Sequence, residues 1–170
     1  MNKQQQYLIT DFSNLADHKW QIVNDGVMGG LSQSHFQIQA NGHGVFLGDV
    51  SLENNGGFAS VKNVQSLNLA GYSGISITHK GDGKRYSFRF RTQGEYGLNR
   101  WVYEQRFDSQ SGELTTTYLP FSQFKAVFRG RDVSDAPPSD LENIKEYGFL
   151  ISDSQPGNFR LEIAEILAVQ

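Results

Sequence analysis

The 170-residue chain contains no cysteine. Disulfides, thiolate metal sites and a cysteine nucleophile are thereby excluded, and the composition is compatible with a reducing compartment. No apolar run approaches the ~20 residues that cross a bilayer, so membrane insertion is not expected. The segment Met1 to Tyr7 has neither the apolar stretch of a secretory signal nor an Arg-rich presequence, which leads to the expectation of a cytoplasmic protein. Asn-x-Ser/Thr acceptors are absent. The four histidines, His18, His35, His43 and His79, show no metal-ligand spacing, so no metal is expected. There is no G-x-S-x-G elbow, Walker loop or dinucleotide fingerprint, and no cofactor is expected. A net charge of −3 argues against general nucleic-acid binding.

What the chain does have is short alternating runs separated by Gly, Asn, Asp and Pro, the pattern of an all-β sandwich or barrel. Strands are expected over 36–40, 45–52, 59–62, 74–79, 86–92, 101–107, 115–120, 147–152 and 159–168. Asn41-Gly42, Gly81-Asp82-Gly83 and Ser111-Gly112 supply turn residues, and Gly81-Asp82-Gly83 is expected to close a hairpin. Ser139-Asp140-Leu141-Glu142 fits a capping box after Pro137-Pro138 and predicts a helix of barely two turns ending before Gly148. A second short helical turn is expected within 11–20. Neither a linker nor a repeat divides the chain, which is read as one domain over 1–170.

Two glycine-rich segments stand out. Trp20 and Ile22 run into Asn24-Asp25-Gly26-Val27-Met28-Gly29-Gly30, and Asn54-Asn55-Gly56-Gly57-Phe58 follows two dozen residues on. Glycine reaches backbone conformations closed to other residues, so these loops are shaped by the backbone. Between 86 and 91 Tyr, Phe and Phe alternate with Ser, Arg and Arg. Tyr86, Phe88 and Phe90 therefore point to the core, while Arg89 and Arg91 share the other face with Glu104 and Arg106 if the strands adjoin. Seven of the eight arginines lie within 85–131, and the following 39 residues are strongly acidic. That arginine face is either a solvated, charge-paired exterior or a polar surface for an acidic partner.

Carboxylates near the loops (Asp25, Asp49, Glu53) raise a glycosidase-like pair, and Asp11, Asp49, Glu162 and Glu165 a calcium cluster. Asp and Asn beside Gly are equally the residues of ordinary turns.

The chain resembles the complex I intermediate-associated protein 30 family. Trp20 and Asn24 to Ser32 match its Asn-Asp-Gly-Val-Met-Gly-Gly-x-Ser segment. Phe46, Gly48, Val50 and Ser51, then Asn54 to Val61, follow in order. Tyr86, Phe88, Phe90, Arg91 and Thr92, with Phe128-Arg129-Gly130-Arg131 and Gly157-x-Phe159-x-Leu161-Glu162-Ile163, complete the match over about 10–168. The resemblance implies a galactose-binding-domain-like jelly-roll β-sandwich with one or two short helices. It also implies assembly factors that hold respiratory complex I intermediates without catalysing a reaction. Mitochondrial members carry a transit peptide and an extra N-terminal region; this chain looks more like a stand-alone bacterial member.

The expectation is a non-catalytic module that binds a protein partner, through Asn24, Asp25, Met28, Asn54 and Asn55 at the loops and Arg91 and Arg129 on the arginine side. The alternative is a carbohydrate-binding module that stacks a glycan on Trp101 or Tyr103.

Overall fold

A computed structural model describes residues 5–14, 20–92 and 101–170. The strands are β1 (Gln6–Thr10), β2 (Trp20–Ile22), β3 (Gln33–Ile38), β4 (Gly44–Val50), β5 (Ala59–Leu67), β6 (Gly74–Lys80) and β7 (Arg85–Thr92), followed by β8 (Val102–Asp108), β9 (Thr115–Pro120), β10 (Lys125–Phe128), β11 (Arg131–Asp132), β12 (Ile144–Ile151) and β13 (Gly157–Val169). They form two antiparallel sheets, which pack as a jelly-roll sandwich. The six-stranded sheet runs β3-β4-β13-β6-β9, and β1 also pairs with β13. The seven-stranded sheet runs β11-β10-β8-β7-β12-β5-β2.

Alternation decides which side chains meet between the layers. On β7, Tyr86, Phe88 and Phe90 are buried as the sequence predicts. They meet Tyr147 and Phe149 of β12, with Phe88 and Phe149 edge to face at 5.5 Å. Phe46, Phe159, Leu161 and Ile163 close the core from the other sheet. Aromatic pairs at such distances add to burial alone.

Several sequence expectations need correction. Gly81-Asp82-Gly83 does not close a hairpin: it carries the chain from β6 in one sheet to β7 in the other. Asp82 folds this corner, accepting from the Lys84 backbone at 3.1 Å, the Tyr86 hydroxyl at 3.0 Å and the Arg160 backbone at 2.9 Å. The predicted helix after Ser139 is a turn. The Asp140 carboxylate receives the Glu142 backbone N–H at 3.2 Å and the Asn143 amide at 2.9 Å, and Ile144 already belongs to β12. Asx turns of this kind compete with helix nucleation. Asp11 likewise caps Ser13 locally, and Phe12 has φ 65°, so 11–14 are not helical. The rest of that expected turn, 15–19, lies outside the described residues. Among the described residues the short helices that form are single 3-10 turns at Asp25–Met28, Glu53–Asn55 and Phe121–Gln123.

Strands β1, β2, β10 and β11 carry no alternation long enough to be read. The β10–β11 hairpin turns on Arg129 and Gly130, with φ 49° and 79°, and arginine is not a residue that advertises such a turn. No helix among the described residues is long and apolar enough to cross a membrane.

Candidate functional site

The two glycine loops meet at one carboxylate. Asp25 has no exposed surface. Its Oδ1 accepts the Ser32 backbone N–H at 3.0 Å; its Oδ2 accepts the Ser32 hydroxyl at 2.6 Å and the Gly57 and Phe58 N–H groups at 2.7 and 3.3 Å. Burial works against its charge, but these donors outweigh it and hold the carboxyl below its ordinary range. The glycines beside it are steric necessities. A Cβ at Gly30 would lie 2.4 Å from the Asp25 carboxyl carbon, and one at Gly56 would lie 2.6 Å from Oδ2. Asn24 is bound in similarly, its side-chain oxygen accepting the Ser34 hydroxyl at 2.7 Å and the Ser60 N–H at 3.4 Å. Asp25 and Asn24 thus stitch the loops to each other and to β5. Asn54 is exposed at φ 56°. The side chains of Met28 and Asn55 lie outside the described residues.

The arginine face is the outer surface of the seven-stranded sheet. Pairing sets Arg89 opposite Glu104 on one side and Gly148 on the other, with Lys62 beyond Gly148. Arg91 pairs with Glu146 in the next row. Glu146 is clamped between Arg91 at 2.8 Å and Lys62 at 3.1 Å. Glu104 accepts the Ser87 hydroxyl at 3.3 Å, and Arg106 forms a two-pronged bridge to Asp153 at 2.9 and 3.0 Å. The strands adjoin as the sequence reading required, and most of the face is charge-paired.

Arg89 is different. Half-buried at the centre of the face, it makes no hydrogen bond or close ion pair with any described residue. Burial pushes its guanidinium down from its ordinary pKa, while Glu104 and Glu146 pull it back up at longer range. It lines a pocket of about 110 Å³ with Lys62, Arg91, Glu146, Ser60 and Val102. Gly148 gives this pocket its depth: a Cβ there would lie 1.9 Å from the Val61 carbonyl oxygen. Sequence reasoning named Arg91 as the anion contact and passed over Arg89. The two look alike in an alternating strand and both have an acid opposite in register; side-chain geometry shows that only Arg91 of the pair reaches its acid at contact distance.

Arg129 sits exposed in the β10–β11 turn, its guanidinium 5.3 Å from the centre of the Phe128 ring. The structure does not join it to the Glu146 clamp. Neither aromatic proposed for glycan stacking offers a free ring. Tyr103 is 5% exposed, stacks on Phe90 at 5.4 Å and donates its hydroxyl to the Pro137 carbonyl at 2.9 Å. Trp101 is half-buried against the core. Tyr103 had been placed by pattern on the same face as Phe107, and that is the inner face.

On the opposite sheet Glu162, 4% exposed, accepts Gln39 at 2.6 Å, His43 at 2.9 Å and Arg160 at 3.3 Å. Burial raises the cost of its charge, and these partners with Lys80 more than compensate, lowering its pKa. Among the described residues no group of three or more histidines or acids could hold a metal ion. Asp49, Glu53 and Asp25 do not converge on a cleft: Asp25 is sealed, while Asp49 and Glu53 are exposed.

The fold and the face define the chain as an antiparallel jelly-roll β-sandwich with a charged outer sheet surface. A family 11 carbohydrate-binding module from Clostridium thermocellum, solved in complex with a β-1,3-1,4-mixed-linked tetrasaccharide, has a TM-score of 0.72 at 15% identity, covering 96% of this chain and 95% of that one. The same family's module from a cellulosomal cellulase of that organism gives 0.70 at 16%, covering 99% and 97%. At these identities the likeness is one of fold. Residues 10–163 match the family described as complex I intermediate-associated protein 30, and the chain belongs to it. An uncharacterized protein of Schizosaccharomyces pombe is 28% identical over 177 residues, covering 92% of this chain and 80% of that one.

Proposed function

We propose that the protein is a non-catalytic docking module that holds a subunit of a respiratory or other redox complex during assembly, using the outer face of the seven-stranded sheet. Family membership supports the assembly role. The observation that carries the choice of face is Arg89, a half-buried cation without a close partner, set in a pocket amid otherwise paired charges. A polypeptide surface bearing acidic and polar groups complements that arrangement, and charge complementarity of this kind gives register and specificity. The glycine loops act as scaffold in this reading. Asn24 and Asp25 hold β5 and the β2 end in place.

A glycan ligand takes its support from the fold shared with carbohydrate-binding modules. Against it stands the burial of Tyr103 and the packing of Trp101, since flat stacking on exposed rings is how such surfaces gain affinity for sugars.

The test is photo-crosslinking in cells that make the protein. Val64 on β5 is 41% exposed on the same face as Lys62, and Tyr118 on β9 is 48% exposed on the other sheet. A benzophenone amino acid at position 64 is expected to capture a subunit of a multi-subunit redox complex, identified by mass spectrometry. The same probe at 118 is expected not to. Equal capture from both faces, or adducts with unrelated proteins only, would overturn the reading.

A further inference from the structure

We infer that Arg89 is the receptor for a single carboxylate carried by an acidic segment of the partner polypeptide, with Lys62 and Arg91 as the rim of that site. The inference rests on the docking reading and names what the face recognises. A guanidinium carries five donors in a fixed fork, and leaving them unmet in a partly desolvated pocket is costly. Three of the neighbouring cations on the face have a counter-ion at contact distance: Arg91 and Lys62 share Glu146, and Arg106 has Asp153. Glu104, opposite Arg89, accepts only the Ser87 hydroxyl among the described residues. Among the described residues Arg89 is the half-buried cation of this face with neither a hydrogen bond nor an ion pair at contact distance.

The chemistry of the missing acceptor follows from charge and volume. Among the described residues, Lys62, Arg89 and Arg91 stand with Glu146 in the lining and Glu104 beside it, an excess of one positive charge. A monoanion balances it; a dianionic phosphate would be driven against the two resident carboxylates. About 110 Å³ accommodates a planar carboxylate, which can meet the guanidinium fork with two parallel hydrogen bonds. Gly148 keeps the floor open beneath it. The Ser60 hydroxyl is engaged with the Val23 carbonyl, so the pocket's available donors are the cationic ones. Among the described residues no free aromatic ring borders the site, so an acidic side chain or chain terminus is favoured over a uronic acid as the carrier.

The test is an NMR titration of the 15N-labelled protein, following the Arg89 Nε–Hε resonance. The probes are an acetyl-Gly-Gly-Glu-Gly-Gly-amide peptide, its Gln twin, sodium phosphate and glucuronate. The Glu peptide is expected to shift the Arg89 signal and the Gly148 amide, with the Gln twin at least tenfold weaker. Arg89→Met keeps the side-chain stem and is expected to weaken the Glu peptide at least tenfold. Should that variant fail to fold, the contrast between Glu and Gln peptides at Arg89 in the wild type still decides. Equal shifts with both peptides, no shift at Arg89, or a response to phosphate or glucuronate without one to the Glu peptide would each overturn the inference. If the peptide fails while crosslinks from position 64 persist, only the carboxylate receptor falls. Loss of those crosslinks sinks the docking reading, whatever the peptide does.

Discussion

At the scale of single residues, the carboxylate that looks most like a ligand contact is a strut. Asp25 gathers four donors from residues up to 33 positions away. Nothing local in Asn24-Asp25-Gly26 reveals that, because an Asp at a loop lip has the same sequence signature whether its acceptors face water or the chain's own backbone. Replacing Asp25 with Ala strands those donors and is expected to cost about 3 kcal/mol or more, measured by urea unfolding, because charge-assisted hydrogen bonds are the expensive ones to break. His79 is the second buried group of note. It has no exposed surface, its Nε2 lies 2.8 Å from the Thr117 hydroxyl, and burial holds its pKa below the ordinary 6.5. A lowered histidine pKa means that the unfolded chain takes up the proton first. Stability is therefore complete above about pH 6.5 and declines below it. Asp25 and Glu162, both lowered, add a second loss as the pH falls through their ordinary values of 3.8 and 4.5. Thermal melts from pH 8 to 3 are expected to fall in two stages, and His79→Gln should flatten the first. A wild-type melting temperature that stays level between pH 7 and 5 would contradict the assignment for His79.

The elements were readable where alternation was long and hidden where it was short. Strand β7 shows its faces outright through Tyr86, Phe88 and Phe90, because three aromatics at period two admit one orientation. Strand β12 hides its most consequential residue. Gly148, expected from the sequence to follow a short helix near the start of a strand over 147–152, is a mid-strand position in register with both Lys62 and Arg89. Gly148→Ala is expected to lower stability by at least about 2 kcal/mol, and Gly48→Ala similarly, since the new methyls would meet carbonyl oxygens of Val61 and Gln33 at 1.9 and 2.1 Å. Denaturant midpoints check both. The β10–β11 hairpin behaves oppositely. Arg129 sits at φ 49°, so Arg129→Gly is expected to be neutral or to stabilise by up to about 1 kcal/mol. Turn type depends on φ, which an arginine does not announce, and that is why this hairpin was invisible in the sequence.

For the whole molecule, fold class and family were legible because glycine loops and strand spacing are local signals. The polar face was legible only as a list of charges. Its meaning depends on register across five strands and on side-chain placement: register sets an acid opposite both arginines, and Arg91 reaches Glu146 at 2.8 Å whereas Arg89 makes no such contact with Glu104. The two sheets also divide the work. One outer face buries Glu162 in a closed network, while the other leaves a cation open. The central claim is that this second face docks a partner during assembly. The most direct measurement is a native gel of respiratory complexes from host cells lacking the gene, re-supplied with wild type or with Lys62→Glu/Arg89→Glu. The account predicts that sub-assemblies accumulate without the protein, clear with wild type and persist with the charge-reversed face. Intact complexes without the protein, or full rescue by a folded charge-reversed variant, would contradict it.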